Sequence, residues 1–205
     1  MQTKAPDPTA VLARLSTLTR LLYEAFEIAT QIVRAYFDKI RAPVDPWLAA
    51  MWTRFLVKRI LAERGQEVEE EEIEQENVPN VGLWLRFGED QIRIWKAVRG
   101  GILESDNSDA RIAYFSQEPL PGFEDAQNPH KYIIAWDVDD KFSLKGLLLA
   151  LPRSATRVSV KLHWPVVPIP HPALAIEPDR AATAQLAEDL AIEIDQAKTD
   201  IKGME

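Results

Sequence analysis

Between Val11 and Tyr36 the residues Val11, Leu15, Leu18, Leu22, Ala25, Ala29, Ile32 and Tyr36 recur at spacings that alternate between four and three. That is the period of one side of an α-helix, and Leu21, Phe26, Ile28, Val33 and Phe37 widen it well beyond a narrow seam. So broad an apolar stripe cannot stay in water and must be covered. The cover is either the second helix and the sheet of the same chain or a second copy of it, and the heptad-like register makes this helix the candidate surface for self-association.

Local signals frame this helix and a second one. Asp7-Pro8 places a capping carboxylate before a proline at the first helical position, and Asp45-Pro46 repeats the device. Arg41-Ala42-Pro43 ends the first helix, near Arg41, and Gly65 stands just past the second, near Arg64. A break this short makes the pair an antiparallel helical hairpin. Leu48, Met51, Trp52, Phe55, Leu56 and Ile60 are expected on the core face of the second helix. Arg54, Lys58, Arg59 and Arg64 take its other sides, so Arg54 and Lys58 become candidate contacts for an anionic partner.

Charge is distributed by segment. The chain of 205 residues carries a net −8, yet residues 1–64 sum to +4, while residues 65–76 and 177–205 sum to −7 and −5. The run Glu67–Glu76 has only Val68 and Ile73 as apolar breaks and reads as a solvated linker, residues 66–78. With no cysteine, a disulfide framework, a thiolate zinc site and a cysteine nucleophile are excluded. The start MQTKAPDPTAVLARL lacks the apolar core of a secretory signal, and Arg14, Arg20, Glu24 and Glu27 interrupt the most apolar stretch. A cytoplasmic protein with no membrane span is expected.

Residues 79–172 read as the β-rich core. Val81–Phe87 and Ile92–Val98 are expected to pair through a turn at Gly88–Gln91, with Phe87 opposite Ile92 and Leu85 opposite Ile94. That register puts Trp84 opposite Trp95 and Arg86 opposite Arg93 on the other face. Further strands are expected at Arg111–Ser116, Lys131–Val138 and Thr156–Trp164, with a long loop over Gln117–Pro129. Leu144–Leu151 fits a buried strand or a short helix equally well. The stretch Pro165–Pro172 is extended and barred from a sheet interior, and Pro178-Asp179 opens a C-terminal helix bearing Leu186, Leu190, Ile194 and Ile201, within a segment 173–205.

The fold expected is therefore α+β: residues 1–65 as a helical hairpin, a mainly antiparallel sheet of about five strands, and a C-terminal helix, in one folded unit. No nucleotide loop, catalytic triad or ligand-spaced histidine set is present; His130, His163 and His171 are widely separated. The reading is a non-enzymatic binding or regulatory protein, without cofactor or metal, whose partner is a protein or a second copy of itself. One alternative uses Trp84, Arg86, Arg93 and Trp95 as a sheet face for single-stranded nucleic acid, indoles stacking on bases and guanidiniums holding phosphates. Another is a metal-dependent phosphodiesterase or nuclease built on Asp137 and Asp139, with Glu104, Asp106 and Asp109 in a second loop.

Overall fold

The computed structural model describes residues 5–64, 73–75, 83–88, 90–97, 112, 114–116, 130–155 and 160–172. The chain divides into a unit of residues 1–171 and a second of 172–205. The C-terminal helix, the Gln117–Pro129 loop and the loop carrying Glu104, Asp106 and Asp109 lie outside the described residues.

Three helices open the chain: α1 (Pro8–Arg14), α2 (Ser16–Lys39) and α3 (Pro46–Arg64). Both capping signals act as expected, Asp7 accepting from the Thr9 N–H and Asp45 from the Leu48 N–H at 2.7 Å. The long first helix is interrupted once, at Leu15. It ends in a Schellman motif, in which the Ala42 N–H donates to the Phe37 carbonyl and the Arg41 N–H to that of Asp38, both at 3.1 Å. Arg41 takes the left-handed position, φ 52°, where glycine is usual.

The strands are β1 (Ile73–Gln75), β2 (Leu83–Phe87), β3 (Asp90–Lys96), β4 (Lys131–Val138), β5 (Leu144–Ala150), β6 (Pro152–Ala155), β7 (Val160–Leu162) and β8 (Val167–Ile169). Six form one sheet in the order β1-β2-β3-β4-β5-β8, and β6 pairs with β7 separately. The fold is α+β, but the sheet is mixed: β3 and β4 run parallel at its centre, Ile94 facing Ile134. The end of the acidic run supplies edge strand β1. Strand β8 comes from the proline-rich stretch and stays at the opposite edge, where Pro168, lacking an N–H, is tolerated.

Alternation assigns the two faces. Trp136 on β4 stacks on Phe26 of α2 at 5.2 Å, so the side chains sharing its face are on the helical side: Ile134, Ile92, Ile94, Leu83, Leu85, Phe87, Leu147 and Leu149. All are at most 4 % exposed. On α2, Leu18, Leu22, Ala25, Phe26, Ala29 and Val33 are 0 % exposed. The seam is thus covered inside the chain by α3 and the sheet, one of the two covers expected for it. Two further ties fasten the layers. Arg14 of α1 pairs at 2.8 Å with buried Asp90 and donates to the Tyr132 hydroxyl, while Arg64 pairs with Glu24 across α2 and α3.

Candidate functional site

The first hairpin is two residues out of the expected register. Phe87 faces Asp90 and Leu85 faces Ile92, so Trp84 lies opposite Arg93 rather than Trp95, and Arg86 opposite Gln91. The connection is only Gly88-Glu89, with Gly88 at φ 57°, a tight turn that glycine permits. Asp90, expected in the turn, becomes a strand residue because Arg14 compensates its buried carboxylate. A shift of two leaves every side chain on its expected face, so Trp84, Arg86, Arg93 and Trp95 still share one side of the sheet.

That side is not under the helical hairpin. Its cover includes Tyr114 and Phe115, each 1 % exposed, which pack with Ala97, Ile133, Ala135 and Ala150 and with Trp84, Trp95, Leu148 and Val160. Ile112, Tyr114 and Phe115 are helical, and the Ser116 N–H donates to the Ile112 carbonyl, where a strand was expected. Two adjacent residues entering the same cluster is incompatible with strand alternation and natural for a helical turn. Tyr114 packs on Trp84 at 5.4 Å, Phe115 on Trp95 at 5.5 Å, and the Tyr114 hydroxyl donates to the Tyr132 carbonyl at 2.7 Å. The Arg93 guanidinium lies over both indoles, 4.5 Å from the Trp84 ring centre and 4.2 Å from that of Trp95. The π surface that would stack bases is engaged by an internal cation.

The acidic residues after β4 are also engaged. Asp139 accepts from the N–H groups of Lys141 and Ser143, contacts that hold its carboxyl below the usual range, and Asp137 pairs with Lys145 at 2.8 Å. Among the described residues, no group of three or more His, Asp or Glu is arranged to hold a metal ion. No described helix is long and apolar enough to cross a membrane.

The surface missed by the sequence reading is on α3. Its core face is Ala49, Ala50, Thr53, Leu56, Val57, Ile60 and Leu61, not the expected Met51/Phe55 side. The helix has two apolar arcs, and the one with small residues faces inward, since Ala49, Ala50 and Thr53 allow close approach to a neighbour. The other arc carries Trp47, Met51 and Phe55 at i, i+4 and i+8, with Leu48 beside it. Trp47 is 73 % exposed and Phe55 52 %, while Ile40, at the adjoining end of α2, is 48 % exposed. Three bases border this stripe. Arg54 donates to the Ala50 carbonyl, Arg59 pairs with Glu63, and Lys58 lies on the Trp47 side by helical angle. Between Pro46 and Ala62 there is no acidic residue. The stretch therefore has exposed aromatics at its centre and cations along its rim. No protein-family model matches the chain, and comparison with curated proteins and with solved structures likewise found no match.

Proposed function

We propose that this chain is a non-enzymatic binding protein and that the outer side of α3 receives an acidic, amphipathic helix of a partner protein. The observation that carries the reading is the solvent exposure of Trp47 and Phe55 two turns apart on a helix whose opposite arc already fills the core. Aromatic side chains of this size are the usual anchors of protein interfaces, and isolated exposure of two on one stripe is costly to keep without use.

Charge selects the partner. A second copy docking through the same surface would bring Arg54, Lys58 and Arg59 against their own symmetry mates, an arrangement that like-charge repulsion disfavours. A partner with carboxylates flanking its own apolar stripe removes that repulsion and gains from it. The sheet face has weaker support as a site for bases, because Arg93, Tyr114 and Phe115 already use the indoles. A hydrolytic metal site has weaker support too, since the carboxylates of Asp137 and Asp139 hold Lys145 and a turn.

The test uses a designed helical peptide with leucines at i, i+4 and i+7 and glutamates elsewhere, titrated into the intact protein by calorimetry. Saturable binding that Phe55→Glu abolishes, with the fold unchanged by circular dichroism, is the expected result. Equal binding of a lysine-for-glutamate peptide would overturn the charge argument. Binding to phosphatidylserine vesicles but not to the peptide would replace the partner protein with a membrane surface.

A further inference from the structure

The ribbon of β6 and β7 forms a surface of its own on the side of the sheet away from α2. Its inner residues Val160 and Leu162 pack against the cluster that holds Tyr114 and Phe115. Alternation then sends Lys161 and His163 outward, and both are exposed. Across the ribbon Ser154 faces Lys161 and Pro152 faces Leu162, while the His163 N–H donates to the Leu151 carbonyl at 3.0 Å. The register shifts between Pro152 and Ser154, and Arg153, the residue set off by that irregularity, is exposed. Arg153, Lys161 and His163 are thus brought from two strands to one end of one ribbon.

The charge in this part of the chain has one sign. Residues 141–176 hold five Lys or Arg and no Asp or Glu, whereas much of the acid behind the net −8 is in residues 65–76 and 177–205. Neither Arg153 nor Lys161 has an ion-pair partner among the described residues. Burial, then Arg153 and then His130 hold His163 below its ordinary pKa, the direction expected for an imidazole set beside cations. Exposed cations grouped on one ribbon raise the local potential and attract a polyanion.

We propose that the outer face of the β6–β7 ribbon, through Arg153, Lys161 and His163, docks on the phosphate backbone of double-stranded nucleic acid. What the face lacks decides the partner. A protein interface is anchored by an apolar side chain at its centre, and the three exposed side chains gathered here are all polar. Single-stranded bases need open aromatic rings, but Trp84 and Trp95 are engaged by Arg93, Tyr114 and Phe115, and the indole N–H of Trp164 is buried. Phosphate contacts need only cations and donors, and a duplex presents one negative charge per about 1.7 Å of its axis. The ribbon shares no residue with the partner surface on α3, so the two proposals stand or fall separately.

The experiment titrates the intact protein into a fluorescein-labelled DNA duplex of about 20 base pairs at about 50 mM salt and reads the anisotropy. Saturable binding with a dissociation constant of about 1–100 µM is expected, equal on two unrelated sequences and weaker as salt rises. Arg153→Ala and Lys161→Ala should each reduce the slope of log affinity against log salt by about 1, and the double charge reversal Arg153→Glu/Lys161→Glu should weaken binding by about tenfold or more. All these variants should unfold close to the parent's temperature, because the side chains they change are exposed. Absence of saturable binding, or a double variant that binds and responds to salt as the parent does, would overturn the proposal. So would any of three results that name another partner: a single strand of equal length bound more tightly than the duplex, a glutamate-rich peptide that displaces the duplex at equal charge, or phosphatidylserine vesicles bound while the duplex is not. A loss of binding in Lys58→Glu on α3 with none in the ribbon variants would move the contact to the helical layer and refute it equally.

Discussion

Replacing Tyr23 with phenylalanine removes one oxygen, and the structure says what that oxygen does. The Tyr23 hydroxyl accepts from the Leu147 N–H at 3.1 Å and donates to the Ile169 carbonyl at 2.7 Å, so it bridges the register pair that joins β5 to β8. Tyr23 is 3 % exposed, and its ring also packs on His171 at 4.6 Å. Phenylalanine keeps the ring contact and leaves one backbone donor and one acceptor without this partner. Each orphaned group costs about 1–3 kcal/mol, giving roughly 2–6 kcal/mol if nothing moves. Strand β8 is three residues long, holds a proline and lies at an edge, so it can close part of the gap. That relaxation brings the expectation down to about 2–4 kcal/mol. For a chain of this size the loss corresponds to a fall in Tm of roughly 4–16 °C. Urea unfolding should give the same loss with an unchanged slope, and amide exchange should accelerate at Leu147. A loss under about 0.5 kcal/mol with Leu147 still protected would show that the hydroxyl is not what closes this edge.

Arg41→Gly should stabilise the protein by about 0.5–1 kcal/mol, since glycine occupies the left-handed Schellman position without strain; thermal unfolding reads it, and a loss would mean that the arginine side chain matters more than its backbone. Tyr132 is pushed up to about 12, first by burial and then by Asp90, and Tyr23 is raised by burial. A phenol whose folded pKa exceeds its unfolded value favours the folded state fully below pH 10 and loses that contribution as pH rises through the folded pKa. The expected outcome is a decline in stability between pH 10 and about 12, with phenolate absorbance lagging that of the unfolded chain. Arg93→Met should cost about 1–2 kcal/mol through lost contact with the indoles of Trp84 and Trp95; no change in urea midpoint would contradict the cation–π assignment.

The parts legible in the sequence are those decided locally. Asp7-Pro8 and Asp45-Pro46 cap helices because the proline and the carboxylate act within one turn, and the bounds Lys131–Val138 follow from a dense β-branched and aromatic run between a histidine and an Asp-Asp turn. What failed depended on distant groups. Asp90 looked like a turn residue until Arg14 was placed beside it, and that single pairing moves the hairpin register by two. Alternation marks Ile92, Ile94 and Ile134 as buried but carries no information on strand direction, so the parallel centre of the sheet was invisible. On α3 the sequence offers two apolar arcs, and only the fit of Ala49, Ala50 and Thr53 against a neighbour decides which arc is left outside. The exposed Trp47 and Phe55 follow from that choice, which is why the candidate surface was missed while Trp84 and Trp95 drew attention.

The parallel pairing of β3 with β4 also has a kinetic meaning. Hairpins β2–β3 and β4–β5 can each zip from a short turn, but β3 ends at Lys96 and β4 starts only at Lys131, so their union must close a long stretch of chain before any contact rewards it. The β3–β4 seam is then expected to be the last part of the sheet to form, after the two hairpins that flank it. Ile94 and Ile134 face one another across that seam, so they are expected to take part in the step that limits refolding. Shortening either side chain to valine should slow refolding more than it speeds unfolding, whereas an equal loss of stability placed in the β4–β5 ribbon should fall mainly on the folding limb only if that ribbon, and not the seam, is what the chain waits for.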